Sequence, residues 1–84
     1  MGKHIIFGIH ITNRLKKAGD VQQLFSQYGC NIKTRLGLHE VENVCSPNGI
    51  VLLEMYGDEA VCNELADKLA AIEGIEVQKM IFTH

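Results

Sequence analysis

Hydrophobic and polar residues alternate along four segments of the chain, and a period of two is typical of β-strands. The four segments cover residues 3–12, 31–42, 50–56 and 75–83. Between them, apolar residues recur every three or four positions, which predicts one buried face of each of two α-helices. The helical spacing is carried by Val21, Leu24, Phe25 and Tyr28, and later by Val61, Leu65, Leu69 and Ile72.

Acidic residues and glycines indicate where the two helices begin and end. Asp20 and Asp58 are suited to cap helix starts, because a carboxylate accepts hydrogen bonds from the free amides of the first turn. Gly29 and Gly74 are suited to end the helices, since glycine readily adopts a left-handed backbone. The turn-forming segment 43–49 predicts a hairpin loop between the second and third strands.

The resulting order is β-α-β-β-α-β, without a linker or a low-complexity tract. This order is typical of the ferredoxin-like, split βαβ arrangement. We therefore predict an α+β fold with a four-stranded antiparallel sheet and both helices on one side of it. Residues 1–84 are predicted to form a single domain, since one hydrophobic core normally takes about 50 to 200 residues.

Alternation divides the strand residues between the two sides of the predicted sheet. The helix-covered side is predicted to hold Ile5, Phe7, Ile9, Ile11, Leu36, Leu38, Val51, Leu53, Met55, Ile75, Val77 and Ile81. The opposite side is predicted to hold His4, Ile6, His10, Arg35, His39, Ile50, Leu52, Glu54, Tyr56, Met80 and Phe82. Its six large apolar residues are too many for a monomer to leave in water. A second copy or another protein would cover them, and we expect a homodimer or homotetramer.

Composition and charge exclude several classes of protein. Eight basic and ten acidic residues give a net charge of -2, which excludes a globally basic nucleic-acid binder. The expected exposed side of the sheet also lacks the aromatic and basic pattern of RNA-binding sheets. The apolar run Ile5–Ile9 is far shorter than the roughly 20 residues of a membrane span. We expect no direct nucleic-acid partner and no membrane partner.

The three cysteines show no Cys-x-x-Cys spacing, which excludes the usual zinc and thioredoxin-like motifs. Lone cysteines are typical of a reducing compartment and favour a cytoplasmic protein. Cys30 and Cys62 are expected to be small buried residues, as free cysteines often are. Cys45 falls in the predicted hairpin loop, and its role stays open.

Three segments of the sequence resemble a known family. They are Gly8-Ile9-His10-Ile11-Thr12-Asn13-Arg14, Leu24-Phe25-Ser26-Gln27-Tyr28-Gly29 and Thr34-Arg35-Leu36-Gly37-Leu38. They resemble the single-domain ACT-like family of iron-only hydrogenase system regulators, over residues 5–81. None of the three motifs is a catalytic signature, and the resemblance implies an ACT-like fold, self-association and regulatory binding of a small molecule. A regulator of transcription or of metabolism is therefore expected.

A candidate ligand site lies where the first strand leads into the first helix. The resemblance implies that small effectors bind this connection, and residues 1–35 hold six cations against one acid. Free amides at a helix start favour an anion, which a guanidinium and ammonium groups would also attract. We expect an anionic metabolite to contact these six residues: Thr12, Asn13, Arg14, Lys16, Lys17 and Gly19.

Two histidines form a second candidate site. His10 and His39 are predicted on the same side of the sheet, with Glu54 on a strand between theirs. Imidazole and carboxylate groups suit nickel or zinc. Because a third strand separates the two histidines, a metal site would need two subunits, and a metal sensor is the alternative function.

Glu54 with His10 also suggests an acid–base pair, but no catalytic motif accompanies them and we expect no enzyme. A protein-interaction scaffold is a further alternative.

Overall fold

The computed structural model describes residues 2–12, 14–38 and 49–84, with only the backbone described for residues 14–18 and 38. Predictions on residues 39–48, which include His39, the hairpin loop and Cys45, lie outside the described residues. The elements follow the order β-α-β-β-α-β, with a short 3-10 turn at Gly29–Asn31. They are β1 (Lys3–Ile11), α1 (Arg14–Gln27), β2 (Ile32–Leu38), β3 (Gly49–Met55), α2 (Glu59–Ala70) and β4 (Ile75–Thr83).

The four strands form one antiparallel sheet in the order β2-β3-β1-β4, so the predicted ferredoxin-like topology is confirmed. β1 is central and pairs with both β3 and β4. Phe7, for example, lies opposite Leu53 on one side and Lys79 on the other. As predicted, β3 separates β1 from β2.

The core lies between one side of the sheet and the two helices. Phe7, Ile9 and Leu53 of the sheet are completely buried, as are Leu65 and Leu69 of α2. Val21, Phe25 and Tyr28 of α1 belong to the same cluster, and Leu24 packs against it. Both predicted helical stripes therefore cover the same side of the sheet, and each large buried side chain contributes about 1.5–3 kcal/mol.

The predicted start of the first helix is wrong. α1 begins at Arg14, so Asp20 lies inside the helix and is not its cap. α1 ends at Gln27, just before Gly29 as predicted, but Gly29 opens the 3-10 turn and lacks the expected left-handed backbone. In α2 the prediction is confirmed: the Asp58 carboxylate accepts a 2.9 Å hydrogen bond from the Ala60 amide.

Gly74 follows the end of α2 with a left-handed φ of 86°. A Cβ on this residue would lie 2.9 Å from Thr12 Oγ1. The Gly74 carbonyl oxygen accepts hydrogen bonds from both the Thr12 amide and the Thr12 hydroxyl. Gly74 therefore joins the connection after α2 to the end of β1, and its backbone conformation favours glycine.

The predicted phase of β2 is wrong. An irregularity between Ile32 and Thr34 shifts the alternation by one residue. Leu36 therefore pairs with Leu52 on the side away from the helices and is 52% exposed. Arg35 instead lies on the helix side, with its guanidinium carbon 4.8 Å from the centre of the Phe25 ring.

The two described cysteines differ in burial. Cys62 is buried as predicted, whereas Cys30 is exposed and its predicted burial is wrong. Burial raises the pKa of the Cys62 thiol, and the nearby charges of Asp58 and Glu59 raise it further. Neither helix, within the ranges that the structure describes, is long and apolar enough to cross a membrane.

Candidate functional site

The side of the sheet away from the helices, the outer face, is built from outward positions of all four strands. Strand pairing arranges these positions in rows across the sheet. The outer face consists of His4, Ile6, Gly8, His10, Thr34, Leu36, Ile50, Leu52, Glu54, Tyr56, Glu76, Gln78, Met80 and Phe82. One row runs Met80–Ile6–Glu54–Thr34, and the next runs Gln78–Gly8–Leu52–Leu36.

Large apolar side chains dominate the outer face. Met80 is 53% exposed and Phe82 is 52% exposed, and Leu36, Ile50 and Tyr56 are also exposed. Ile6 and Leu52 are half-buried between them. The predicted apolar surface is therefore present, and the shifted phase of β2 adds Leu36 to it. Such a continuous apolar surface on an open sheet is typical of an interaction site.

A polar network lies among these apolar residues. Glu54 Oε2 is 2.7 Å from His4 Nε2, and Glu54 Oε1 accepts a 2.8 Å hydrogen bond from the Thr34 hydroxyl. The hydrogen bond from Thr34, then the one from His4, lowers the pKa of the Glu54 carboxyl, and the charge of Lys33 adds to this effect. Both oxygens of an ionised carboxylate are thus occupied by groups of the same face.

The predicted partnership of His10 with Glu54 is wrong. Glu54 lies opposite Ile6, while His10 lies opposite Ile50, which precedes Glu54 by four residues in β3. The carboxylate near His10 is that of Glu76, with 3.7 Å between His10 Nδ1 and Glu76 Oε1. The acid–base pair drawn from the sequence is therefore not formed by these two residues.

The candidate metal site rests on a residue outside the described part of the chain. His39 is that residue, so the pairing of His10 with His39 stays a prediction. Among the described residues, no group of three or more histidine, cysteine, aspartate or glutamate side chains is placed to hold a metal ion. A depression of about 320 Å³ beside His10 is lined by Gly8, Ile50, Glu76 and Gln78.

The candidate anion site is placed differently from the prediction. Thr12 directs its hydroxyl to the Gly74 carbonyl, at 2.7 Å. Asn13 lies outside the described residues. The other four residues belong to α1 rather than to a loop before it: Arg14, Lys16, Lys17 and Gly19. Gly19 is exposed inside the helix with open space around it, so its expected role in a loop is wrong.

The polar network as such is not evident from the sequence. Alternation predicts His4 and Glu54 on the same side of the sheet but does not bring them into contact; in the structure, β1 and β4 are both nine residues long and His4 pairs with Phe82. The similar lengths of the two alternating segments, 3–12 and 75–83, could have indicated this pairing. Simple alternation places Thr34 beneath the helices, and nothing in it reveals the irregularity that moves this residue.

Comparison with known proteins shows the fold and leaves the family open. No protein-family model matches the chain, and no curated protein matches it. The chain is similar to the solved structure of the uncharacterized protein TM1266 from Thermotoga maritima, with a TM-score of 0.83. The two sequences are 24% identical, and the match covers 98% of this chain and 100% of the other. The likeness establishes a ferredoxin-like α+β domain, and at this identity it shows the fold alone.

Proposed function

We propose that this protein is a non-catalytic, ACT-like regulatory module that binds a small anionic molecule and works as a homo-oligomer. The family resemblance of the sequence supports the regulatory role. The observation that carries the proposal is the apolar outer face, whose exposed residues include Leu36, Met80 and Phe82. An open antiparallel sheet normally alternates apolar residues inside with polar residues outside. The outer face departs from that rule at seven of its fourteen positions, which hold large apolar side chains.

A second copy of the same chain is the occupant that the outer face supports best. Four strands about 4.8 Å apart and about seven residues long give a face of roughly 450 Å² in projection. Protruding side chains add accessible area, which brings the face near the roughly 600 Å² per partner of the smaller stable interfaces. A two-fold axis would bring the same apolar residues of two copies together, since an isologous interface uses the same surface on both subunits.

The oligomeric state tests this proposal directly. Light scattering after size exclusion should give at least a dimer for the wild type in the micromolar range. Leu36→Asp should raise the dissociation constant at least about 100-fold, because an unpaired carboxylate would be buried in the interface. Gln23→Asp is the matched control, because it adds the same charge at an exposed position of α1. It should leave the assembly unchanged.

A wild type that stays monomeric at every concentration would contradict self-association and favour the scaffold alternative. Circular dichroism must show that Leu36→Asp is folded, so that a loss of assembly is not a loss of structure. A monomeric, folded Leu36→Asp beside an oligomeric Gln23→Asp assigns the interface to the outer face.

Ligand binding is the second part of the proposal. We place the anion at the start of α1, near Arg14, Lys16 and Lys17, where free helix amides favour negative charge. Binding there would change assembly by mass action if the ligand prefers one oligomeric state. A thermal-shift panel of carboxylates and phosphorylated metabolites should give a stabilising compound whose effect Arg14→Ala weakens. An unchanged shift in that variant would contradict the site.

A further inference from the structure

The polar network of His4, Thr34 and Glu54 is surrounded by the apolar residues of the outer face. Glu54 has Ile6 beside it on β1 and Leu52 two residues away on β3. Phe82 lies opposite His4 on β4. A protein that covers the apolar residues must therefore also cover this carboxylate and this imidazole.

We propose that the His4–Glu54 pair links assembly of the outer face to proton uptake, so that two copies associate more tightly near pH 6 than near pH 8. This inference rests on the self-association proposed above. It specifies how that assembly is regulated: by protonation of one imidazole in each copy.

The direction of this pH dependence follows from the free-energy cost of burying a charge in the interface. With a neutral imidazole, the Glu54 carboxylate brings a negative charge without a counter-charge into the interface, in addition to that of Glu76, and burying such a charge is very unfavourable. With a protonated imidazole, the 2.7 Å contact is a charge-neutral, charge-assisted hydrogen bond. The assembled state should therefore bind protons more tightly than the separate copies do, and imidazoles ordinarily titrate near pH 6.5.

The internal saturation of the network favours a second copy over an unrelated partner. Both Glu54 oxygens are occupied by His4 and Thr34 of the same chain. The outer face thus needs no complementary basic group from its partner to satisfy this carboxylate. An identical face, with its own satisfied network, meets that condition.

Other ionisable groups lie around the His4–Glu54 pair, and their contributions to the pH dependence must be distinguished from that of the pair. On β2, the positive charge of Lys33 acts on Glu54. After β4, the His84 ring lies edge-on to the His4 ring, with 6.5 Å between their centres. On β1 itself, Lys3 pairs with Glu59 of α2. His10, at the far end of β1, lies near Glu76 of β4.

Sedimentation equilibrium of the full chain at pH 6, 7 and 8 tests the inference. If each imidazole takes up a proton on assembly, the dissociation constant should rise at least about tenfold from pH 6 to pH 8. His4→Gln keeps a neutral hydrogen-bond donor and should lose this dependence. Glu54→Gln should assemble at pH 8 about as tightly as the wild type does at pH 6.

His84→Gln is the matched control, because it removes another imidazole at the edge of the outer face. It should keep most of the pH dependence. An oligomer whose dissociation constant does not change with pH would overturn the proton linkage while leaving self-association intact. The linkage is equally overturned if His4→Gln keeps the wild-type dependence, or if His84→Gln abolishes it. A chain that is monomeric at all three pH values would contradict self-association itself.

Discussion

The two sides of the sheet carry similar side chains and have very different surroundings. On the side covered by α1 and α2, Phe7 and Leu53 are completely buried. On the outer face, Phe82 and Leu36 are each about half exposed. The chain has only two helices among its described residues, and both lie on the same side of the sheet. The contrast teaches that folding of one chain buries only one of the two apolar surfaces that this sheet presents.

The largest expected difference between the covered and open parts of the molecule is in thiol reactivity. Cys62 is buried with a raised pKa, whereas Cys30 is exposed. In a Cys45→Ser background, Cys62 should react at least about 1000-fold more slowly than Cys30, because its modification requires opening of the core. Time-resolved alkylation followed by peptide mass spectrometry measures both rates. Similar rates would show that α2 does not protect the core.

Neighbouring leucines on β3 compare the two sides within one strand. Leu53 is completely buried, and Leu52 is half-buried on the outer face. Leu53→Ala should lower the free energy of unfolding by about 3 kcal/mol, through lost contacts and a cavity. Leu52→Ala should lower it by about 1 kcal/mol, since partial exposure reduces the transfer term. Urea unfolding at low protein concentration measures both, and equal losses would contradict the distinction between the two sides.

Adjacent residues of β2 test the shifted phase of that strand. Arg35→Ala should cost about 0.5–1 kcal/mol, because Arg35 packs over the Phe25 ring. Leu36→Ala should change the stability of the separated chain by less than about 0.5 kcal/mol, since Leu36 is exposed. Urea unfolding of dilute protein is again the measurement. A large loss of unfolding free energy in Leu36→Ala would indicate that Leu36 lies on the helix side, as simple alternation predicts from the sequence.

The smallest expected effect concerns Glu54, the acid at the centre of the open side. Its pKa is lowered in the folded chain, so its stabilising contribution is present above the ordinary value of 4.5 and is lost as the pH falls below it. Glu54→Gln lacks this contribution. The difference in unfolding free energy between wild type and variant should therefore narrow from pH 7 to pH 3. A constant difference would show that the charge of Glu54 does not stabilise the fold.

Most of the fold could be predicted because three strands and both helical stripes follow regular spacing. Ile5, Phe7 and Ile9 alternate without interruption, and β4 has the predicted bounds Ile75–Thr83. The first six residues of α1 are not predicted as helix, because the apolar stripe of this helix becomes clear only at Val21. Ala18, three residues earlier, could have extended it.

The candidate site could be predicted only in part. The outer face is visible in the alternation of β1, β3 and β4, because apolar residues occupy both phases of these strands. The network around Glu54 is visible only in part: simple alternation places His4 and Glu54 on one side of the sheet, whereas the hydrogen bond from Thr34 depends on the irregularity between Ile32 and Thr34. The extra residue leaves no signal in simple alternation, because Ile32 and Leu36 occupy the same phase of the sequence although the irregularity places them on opposite sides of the sheet.

The double hydrogen bond from Thr12 to the Gly74 carbonyl has an evolutionary consequence. Threonine supplies a hydroxyl and an amide to one acceptor, and the glycine backbone leaves no space for a Cβ. Neither residue can change freely while its partner stays. Homologous chains that retain these two hydrogen bonds should keep a small hydroxyl residue at position 12 together with glycine at position 74. Chains that lose one should have lost the other, so that the two sites covary across a distance of 62 residues.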